Sequence, residues 1–232
     1  EDGHFKTYPE TSKEVIRTIY LDKKNNLWIG TDGGGLARLD HGQFEVYTTR
    51  DGLSNNFVRT LYEDVEGSLW IGTRGGLSRL QDGKFTTYTQ REGLADNFVR
   101  CIFEDRSGNL WMGTNGGGLN VMEDGKFKTY TVKDGLANNF IRAIYEDTEG
   151  SLWIGTDGGG VSQFKNGRFR SITTNNGLSH NFVRAIMQDH RGHYWIGTYG
   201  GGLTELTADP SQPSGWRSAI FNTKNGFPDD FI

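Results

Sequence analysis

One phrase returns five times in this 232-residue chain. It reads "LWIGTDGGG" from Leu27, "LWIGTRGG" from Leu69, "LWMGTNGGG" from Leu110, "LWIGTDGGG" from Leu152 and "YWIGTYGGG" from Tyr194. Its tryptophans, Trp28, Trp70, Trp111, Trp153 and Trp195, stand 42, 41, 42 and 42 residues apart. A period of this length restricts the chain to a stack of like units, either propeller blades or helical arrays of the HEAT type.

The pattern inside one period decides between them. Residues 57–89 divide at turn signals into "FVRTLYE", "SLWIGT", "GLSRL" and "KFTTYT". Each run has strand length and carries β-branched and aromatic residues, and none keeps helical spacing over three turns. Composition agrees: 34% of residues are hydrophobic, 12% are aromatic and 34 are glycine, as suits short strands and many turns. The turns have mechanisms. Asp64 and Gly67 in "DVEG" suit a type I turn closed by a left-handed residue, and Asp105–Gly108, Asp147–Gly150 and Asp189–Gly192 repeat it. Asn25 takes the glycine's place in the first copy. "QDGK" from Gln81, "EDGK" from Glu123 and "KNGR" from Lys165 are hairpin signals.

The expected fold is therefore all-β, a β-propeller of four-stranded antiparallel blades with about five blades in this chain. Strands A, B and C fall at about 14–40, 56–81, 97–122, 139–164 and 181–206, within one propeller domain or segment spanning 1–232. Strand A is expected to be innermost and buried on both faces, with Val58, Thr60 and Tyr62 on one and Phe57, Arg59 and Leu61 on the other. The tryptophan of strand B should pack between blades, and the glycine two residues on should leave room for its ring. The position of Thr60 is small in every copy (Thr18, Cys101, Ala143, Ala185), so Cys101 reads as a small core residue. A surplus D strand at Gly3–Tyr8 and a new strand A starting in "FPDDFI" leave two outcomes open, a closed ring or a segment of a larger propeller, and favour the segment.

Other features bound the function. The net charge is −4 with no basic block, which argues against nucleic-acid binding. One cysteine excludes an internal disulfide. No apolar run is long enough to span a membrane. The chain does not begin with Met and shows no signal peptide, so it reads as a mature segment or a piece of a longer protein. The glycine run is not a phosphate loop, because a strand rather than a helix N-terminus follows it.

The stretch "LSNNFVRTLYEDVEGSLWIGTRGGLSRL" at Leu53–Leu80 resembles the two-component regulator propeller repeat, and about five such copies cover almost the whole chain. The resemblance implies a sensor propeller on the periplasmic or extracellular side of a bacterial membrane receptor, such as a hybrid histidine kinase. It also implies a carbohydrate-type ligand and a homodimer. No kinase motif occurs in the sequence, so catalysis would lie elsewhere in the parent.

Candidate ligand contacts fall on the rim formed by the D–A and B–C turns. The residue after the repeated threonine changes between copies, as Asp32, Arg74, Asn115, Asp157 and Tyr199, while its frame stays constant. Arg17, Arg59, Arg100, Arg142 and Arg184 hold one place near the start of strand A. Two roles are open for these arginines: an inter-blade clamp, with Asp51, Glu92 and Asp134 among the acceptors on offer, or a cationic funnel for an anionic ligand such as a uronic-acid oligosaccharide. Asn56, Asn97, Asn139 and Asn181 suit caps of the D–A turns. His190 and His193 form an H-x-x-H on the opposite rim without a third ligand, so no metal is expected. No cofactor or catalytic residue is expected. A propeller lyase is a remote alternative, with His180 the one histidine on the relevant rim; His4 and His41 are scattered. A structural or protein-interaction propeller without a small ligand is the second reading.

Overall fold

The computed structural model describes residues 14–40, 42–123 and 125–232. The surplus strand expected at Gly3–Tyr8, His4, His41 and Asp124 lie outside the described residues. The chain divides after Ile102 into two compact units, taken in turn below.

Among the described residues the strands form five four-stranded antiparallel sheets, each hydrogen-bonded in chain order. These sheets are the blades of a β-propeller. The first holds β1 (Ile16–Leu21), β2 (Leu27–Thr31), β3 (Leu36–Asp40) and β4 (Gln43–Tyr47). The second holds β5 (Val58–Glu63), β6 (Leu69–Thr73), β7 (Leu77–Gln81) and β8 (Lys84–Tyr88). The third holds β9 (Val99–Glu104), β10 (Leu110–Thr114), β11 (Leu119–Glu123) and β12 (Lys126–Tyr130). The fourth holds β13 (Ile141–Glu146), β14 (Leu152–Thr156), β15 (Val161–Lys165) and β16 (Arg168–Ile172). The fifth holds β17 (Val183–Gln188), β18 (Tyr194–Thr198), β19 (Gly202–Ala208) and β20 (Trp216–Phe221).

In the first unit, Trp28 of β2 joins Leu53, Val58, Leu61, Leu69 and Ile71 of the next repeat in one core, as expected of an indole between blades. In the second unit, Trp153 stacks on Tyr194 of the next repeat at 4.0 Å between ring centroids, and Trp216 meets both rings edge-on. A buried aromatic side chain removes about 150–250 Å² from water, so one indole per repeat is the main apolar adhesive between sheets.

Three expectations about strand A and its glycine need correction. The glycine two residues after the tryptophan does not make room for the indole. A Cβ on Gly155 would lie 2.7 Å from Val183 Cγ1, and one on Gly30 would lie 2.5 Å from Val58 Cγ1. The glycine admits the valine that opens the next repeat's strand A. Val58 and Thr60 also do not share a face. The ladder pairs Val58 with Thr73 and then Thr60 with Gly72, so Arg59 is an extra residue in a β-bulge. The bulge breaks the period of two, turning Val58 toward Gly30 of the first sheet and Thr60 toward Gly72 and Val99. Finally, strand A is not buried on both faces in every copy. Ile19 and Leu21 of β1 are about 60% and 59% exposed.

The turn assignments hold. Gly67, Gly108, Gly150 and Gly192 have φ of 77° to 84°, and Asn25 has φ 64°. Asp82 and Gly83 (φ 50° and 74°) form the type I′ hairpin that sequence predicts. At the C-terminal end, Phe231 bridges Tyr199 and Ile232 N–H donates to the Thr198 carbonyl. Ile232 approaches Gly197 as Val183 approaches Gly155, which is the new strand A expected there.

Candidate functional site

The repeated W-x-G-T-x-G-G-G phrase builds a rigid frame around its one variable position. The threonine hydroxyl donates across the turn to the carbonyl of the last glycine, as in Thr31 to Gly35 at 2.9 Å and Thr156 to Gly160 at 2.8 Å. That glycine's N–H donates to the carbonyl of the asparagine that opens the next repeat: Gly35 to Asn56, Gly118 to Asn139 and Gly160 to Asn181. The side-chain oxygens of Asn56, Asn97, Asn139 and Asn181 accept the backbone N–H of Thr49, Gln90, Val132 and Thr174 respectively, each at 2.9 Å. They are caps of the D–A turn, as the sequence indicates. One side chain and one carbonyl thus tie the B–C turn to the D–A turn that follows it.

The frame delivers the arginines to the variable residues. In the first unit Arg17, the bulge residue of β1, donates to Asp32 through Nε at 3.0 Å and an Nη at 2.5 Å. Arg74 reaches the other Asp32 oxygen at 3.2 Å. The Arg17 hydrogen bond outweighs desolvation and, with the fields of Arg74 and Arg59, holds the Asp32 carboxyl below the usual carboxylate range. In the second unit Arg142, again a bulge residue, donates through Nε and an Nη to Asp157, and Arg184 approaches the other oxygen at 3.5 Å. The guanidinium of Arg184 also lies over Tyr199, 4.9 Å from the ring centroid.

The offered acceptors Asp51, Glu92 and Asp134 play no part in this. Each closes a D–A turn by accepting the backbone N–H and hydroxyl of the threonine three residues earlier: Thr48, Thr89 and Thr131. Hydrogen bonds from those threonines hold all three carboxyls below their ordinary values. The local carboxylate of a tight turn is already satisfied there, and Arg17 and Arg142 bond to the residue after the repeated threonine instead.

A second series was not legible as a site. From the second repeat on, a phenylalanine stands just before strand A: Phe57, Phe98, Phe140, Phe182 and, at the C-terminal end, Phe231; the first repeat has Val15 there. All except the half-buried Phe98 count among the exposed large apolar residues, with Phe140 at 43%. Four of them are fixed by isolated backbone bridges to the variable positions, Asp32 with Phe57, Asn115 with Phe140, Asp157 with Phe182 and Tyr199 with Phe231. Exposed rings beside guanidiniums give an amphipathic surface. Its faces suit the C–H side of a small ligand and its edges suit oxygen atoms.

The remaining candidates are accounted for elsewhere. His193 bonds Glu205 at 2.6 Å, and among the described residues no three His, Cys, Asp or Glu side chains converge as a metal site would require. His180 Nδ1 accepts the Phe182 N–H at 3.2 Å, the capping role that Asn55 and Asn138 fill in other repeats. A cavity of about 170 Å³ lies at the other end of the first two sheets, lined by Asp22, Trp28, Arg38 and Glu63 among others. Its Asp22 carboxylate already accepts Trp28 Nε1 and Asn26 Nδ2 at 2.8 Å each.

Fold and rim together define a class: a repeat-built propeller whose constant frame displays one changeable side chain per blade. The chain belongs to the two component regulator propeller family, whose repeat profile matches residues 11–33, 52–75, 93–116, 135–158 and 177–200, together about half of its length. No curated protein matches it. Among solved structures, it is similar to an extracellular domain assigned to the hybrid two component system BT3049 from B. thetaiotaomicron. The identity is 30%, the TM-score is 0.79, and the match covers 95% of this chain and 30% of that one. The corresponding domain of BT4673 from the same organism is 25% identical with a TM-score of 0.74, covering 90% and 31%. The chain thus spans about three tenths of those domains. Virginiamycin B lyase from Staphylococcus aureus, at 17% identity and a TM-score of 0.70 over 92% of this chain and 72% of that one, shares the fold. Among the described residues no helix is long and apolar enough to cross a membrane.

Proposed function

We propose that this chain is a non-catalytic, ligand-sensing propeller segment on the extracytoplasmic side of a bacterial two-component-type receptor. Its ligand is a carbohydrate, held on the rim by the arginine series, the residues after the repeated threonine and the phenylalanines. The observation that carries the reading is the conjunction in each unit of bulge-aimed arginines with exposed aromatic rings, on a frame in which the Trp, Gly and Thr recur while the residue after the threonine changes. A purely structural rim would not need that position to range over Asp, Arg, Asn and Tyr. The similarity to extracellular domains of hybrid two-component systems supports the location, and a homodimer is part of the same proposal.

Calorimetric titration of the chain with a panel of neutral and acidic oligosaccharides tests it. Saturable binding is expected, with no rise in ultraviolet absorbance from an unsaturated product when uronides are incubated with the protein. A rise would make the chain a lyase, and no binding across the panel would favour the protein-interaction reading, which the ion pairs at Asp32 and Asp157 also accommodate.

A further inference from the structure

The inter-blade tryptophans do not all meet the same kind of neighbour. In the second unit, Tyr194 opens strand B of the fifth repeat. Its phenol stacks on Trp153 at 4.0 Å and donates its hydroxyl to Asp147 at 2.8 Å. Phe164, on strand C of the fourth repeat, meets Trp111 of the third at 5.8 Å. In the first unit both places hold leucine: Leu69 corresponds to Tyr194 and Leu80 to Phe164. Neither supplies a ring, and the cavity of about 170 Å³ lies there, walled by Trp28, Leu69, Leu80, Asp22, Arg38 and Glu63 among others. Trp28 and Asp22 are the first-repeat counterparts of Trp153 and Asp147. The cavity therefore touches the same pair of groups that hold the Tyr194 phenol.

The cavity wall also carries an unmatched donor. Arg38 donates through an Nη to Glu45 at 2.7 Å, while its Nε–H is buried with no acceptor. In the second repeat Arg79 gives the same Nε–H to the Ser68 hydroxyl at 3.0 Å. The first repeat has Asn26 in place of Ser68, and the Asn26 amide is turned to Asp22 at 2.8 Å. The Asp22 carboxylate thereby accepts four hydrogen bonds, from the Lys24 and Asn26 backbones, the Asn26 amide and the Trp28 indole. Its lone pairs are used, so a further hydroxyl has to find other partners. A buried N–H without an acceptor is unfavourable, and an oxygen brought to Arg38 relieves that. Glu63 can accept the hydroxyl proton in a hydrogen bond. Its Oε2 takes the Lys23 N–H at 2.8 Å, and a carboxylate accepts about four such bonds. A cavity of about 150 Å³ admits one benzene ring, so there is room here for one ring and no more.

We propose that the cavity between the first and second sheets binds a phenol ring, carried either by a free phenol or by a tyrosine side chain of a partner. The ring sits beyond Leu69 against Trp28, in the space that Tyr194 fills between the fourth and fifth sheets. Its oxygen accepts the Arg38 Nε–H and its hydroxyl donates to Glu63. The site lies at the opposite end of the sheets from the arginine rim and stands whether or not that rim binds a sugar.

The test follows the Trp28 indole N–H by NMR during titration with p-cresol, toluene and a capped glycyl-tyrosyl-glycine peptide. The proteins are wild type, Arg38→Met, Leu69→Tyr and Leu80→Phe. In wild type p-cresol should shift the Trp28 signal saturably, with toluene at least about tenfold weaker because it has no oxygen for Arg38. Arg38→Met should bring p-cresol down to the toluene level. Leu69→Tyr and Leu80→Phe copy the second unit, and each should lose at least about tenfold in p-cresol affinity by filling the cavity. Peptide binding as tight as that of p-cresol, or tighter, assigns the site to a partner's tyrosine; tighter binding of p-cresol assigns it to a free phenol. Equal binding of p-cresol and toluene, unchanged in Arg38→Met, would overturn the recognition of a phenol. No Trp28 shift in wild type, or full p-cresol affinity in both filled variants, would overturn the site. None of these results bears on sugar binding at the arginine rim. Melting temperatures at or above that of wild type show that the filled variants are folded, and if either is not, the contrast of p-cresol with toluene in wild type and Arg38→Met decides.

Discussion

The indole N–H of Trp70 donates to the Asp64 carboxylate at 2.7 Å, and the same bond closes all five repeats. Asp64 also accepts the Ser68 N–H on its other oxygen at 2.8 Å. The aspartate therefore fixes the A–B turn and the inter-blade tryptophan with one side chain. Asp147 goes further and accepts the Tyr194 hydroxyl at 2.8 Å from the next repeat.

Asp147→Ala should be the most destabilising single change at this turn. It strands the Trp153 indole and Tyr194 hydroxyl in a buried site, and losses of about 2–4 kcal/mol follow from unsatisfied donors to a charged acceptor. Urea unfolding monitored by tryptophan fluorescence measures this. Tyr194→Phe, which removes one donor and keeps the ring stack, should lose about 1 kcal/mol.

Acid should weaken the fold through Asp189, which accepts the Trp195 indole N–H in the fifth repeat. The Trp195 hydrogen bond, opposed by burial, lowers the Asp189 pKa to about 2 from an ordinary 3.8. A folded-state pKa below the unfolded one makes the contribution fully present above the unfolded pKa and lost as pH falls through the folded one. Stability should thus decline between about pH 4 and pH 2. Asp189→Asn should flatten that decline in melting curves, and an unchanged slope would remove Asp189 from the explanation.

Gly155→Ala should destabilise the second unit by about 1–3 kcal/mol through overpacking against Val183. The clash is steric, with Cγ1 of Val183 at 2.7 Å from the new Cβ. Val183→Ala in the same chain should recover part of the loss, giving a coupling that a double-mutant cycle reads directly. Absence of coupling would return the glycine to the role of making space for the indole.

The clamp role of the arginines has its own test. Arg142 and Asp157 are partly buried, at 18% and 16% side-chain exposure. A double-mutant cycle to alanine should yield a coupling of about 1 kcal/mol, enough to stiffen the rim but too small to unfold the chain. Cooperative unfolding of Arg142→Ala at room temperature would make the clamp the main function of the series.

Much of this was written in the sequence because repeats report the same structural demand several times. Period, strand lengths and turn glycines were legible at Trp70, Gly67 and Asp82 from pattern and backbone sterics alone. The shared rim of the arginines and the residue after the threonine was legible too, but their pairing was not, because Asp51, Glu92 and Asp134 stood nearer in sequence as acceptors. The bulge at Arg59 was not, because both sides of strand A carry mixed residues and an inserted residue leaves no trace in such a pattern. The partner of Gly72 was not, because it belongs to the next repeat and the nearest large side chain in sequence, Trp70, is a plausible wrong answer. The second task of Asp64 was hidden behind its first, since a turn explains the residue completely at the local level. Phe57 reads as buried because a strand A packed on both faces should bury each of its residues. Its exposure depends on where the ladder ends, which only the three-dimensional pairing defines.

The central claim is that ligand meets the rim of the arginines and phenylalanines. The most direct measurement is side-chain NMR of the arginine Nε–Hε groups during titration with an acidic trisaccharide. Saturable shifts are predicted within the series Arg17, Arg59, Arg100, Arg142 and Arg184, with Arg38 and Arg79 at the other end of their sheets unmoved. Shifts at Arg38 and Arg79 alone, or no shift at any arginine while calorimetry reports binding, would contradict it.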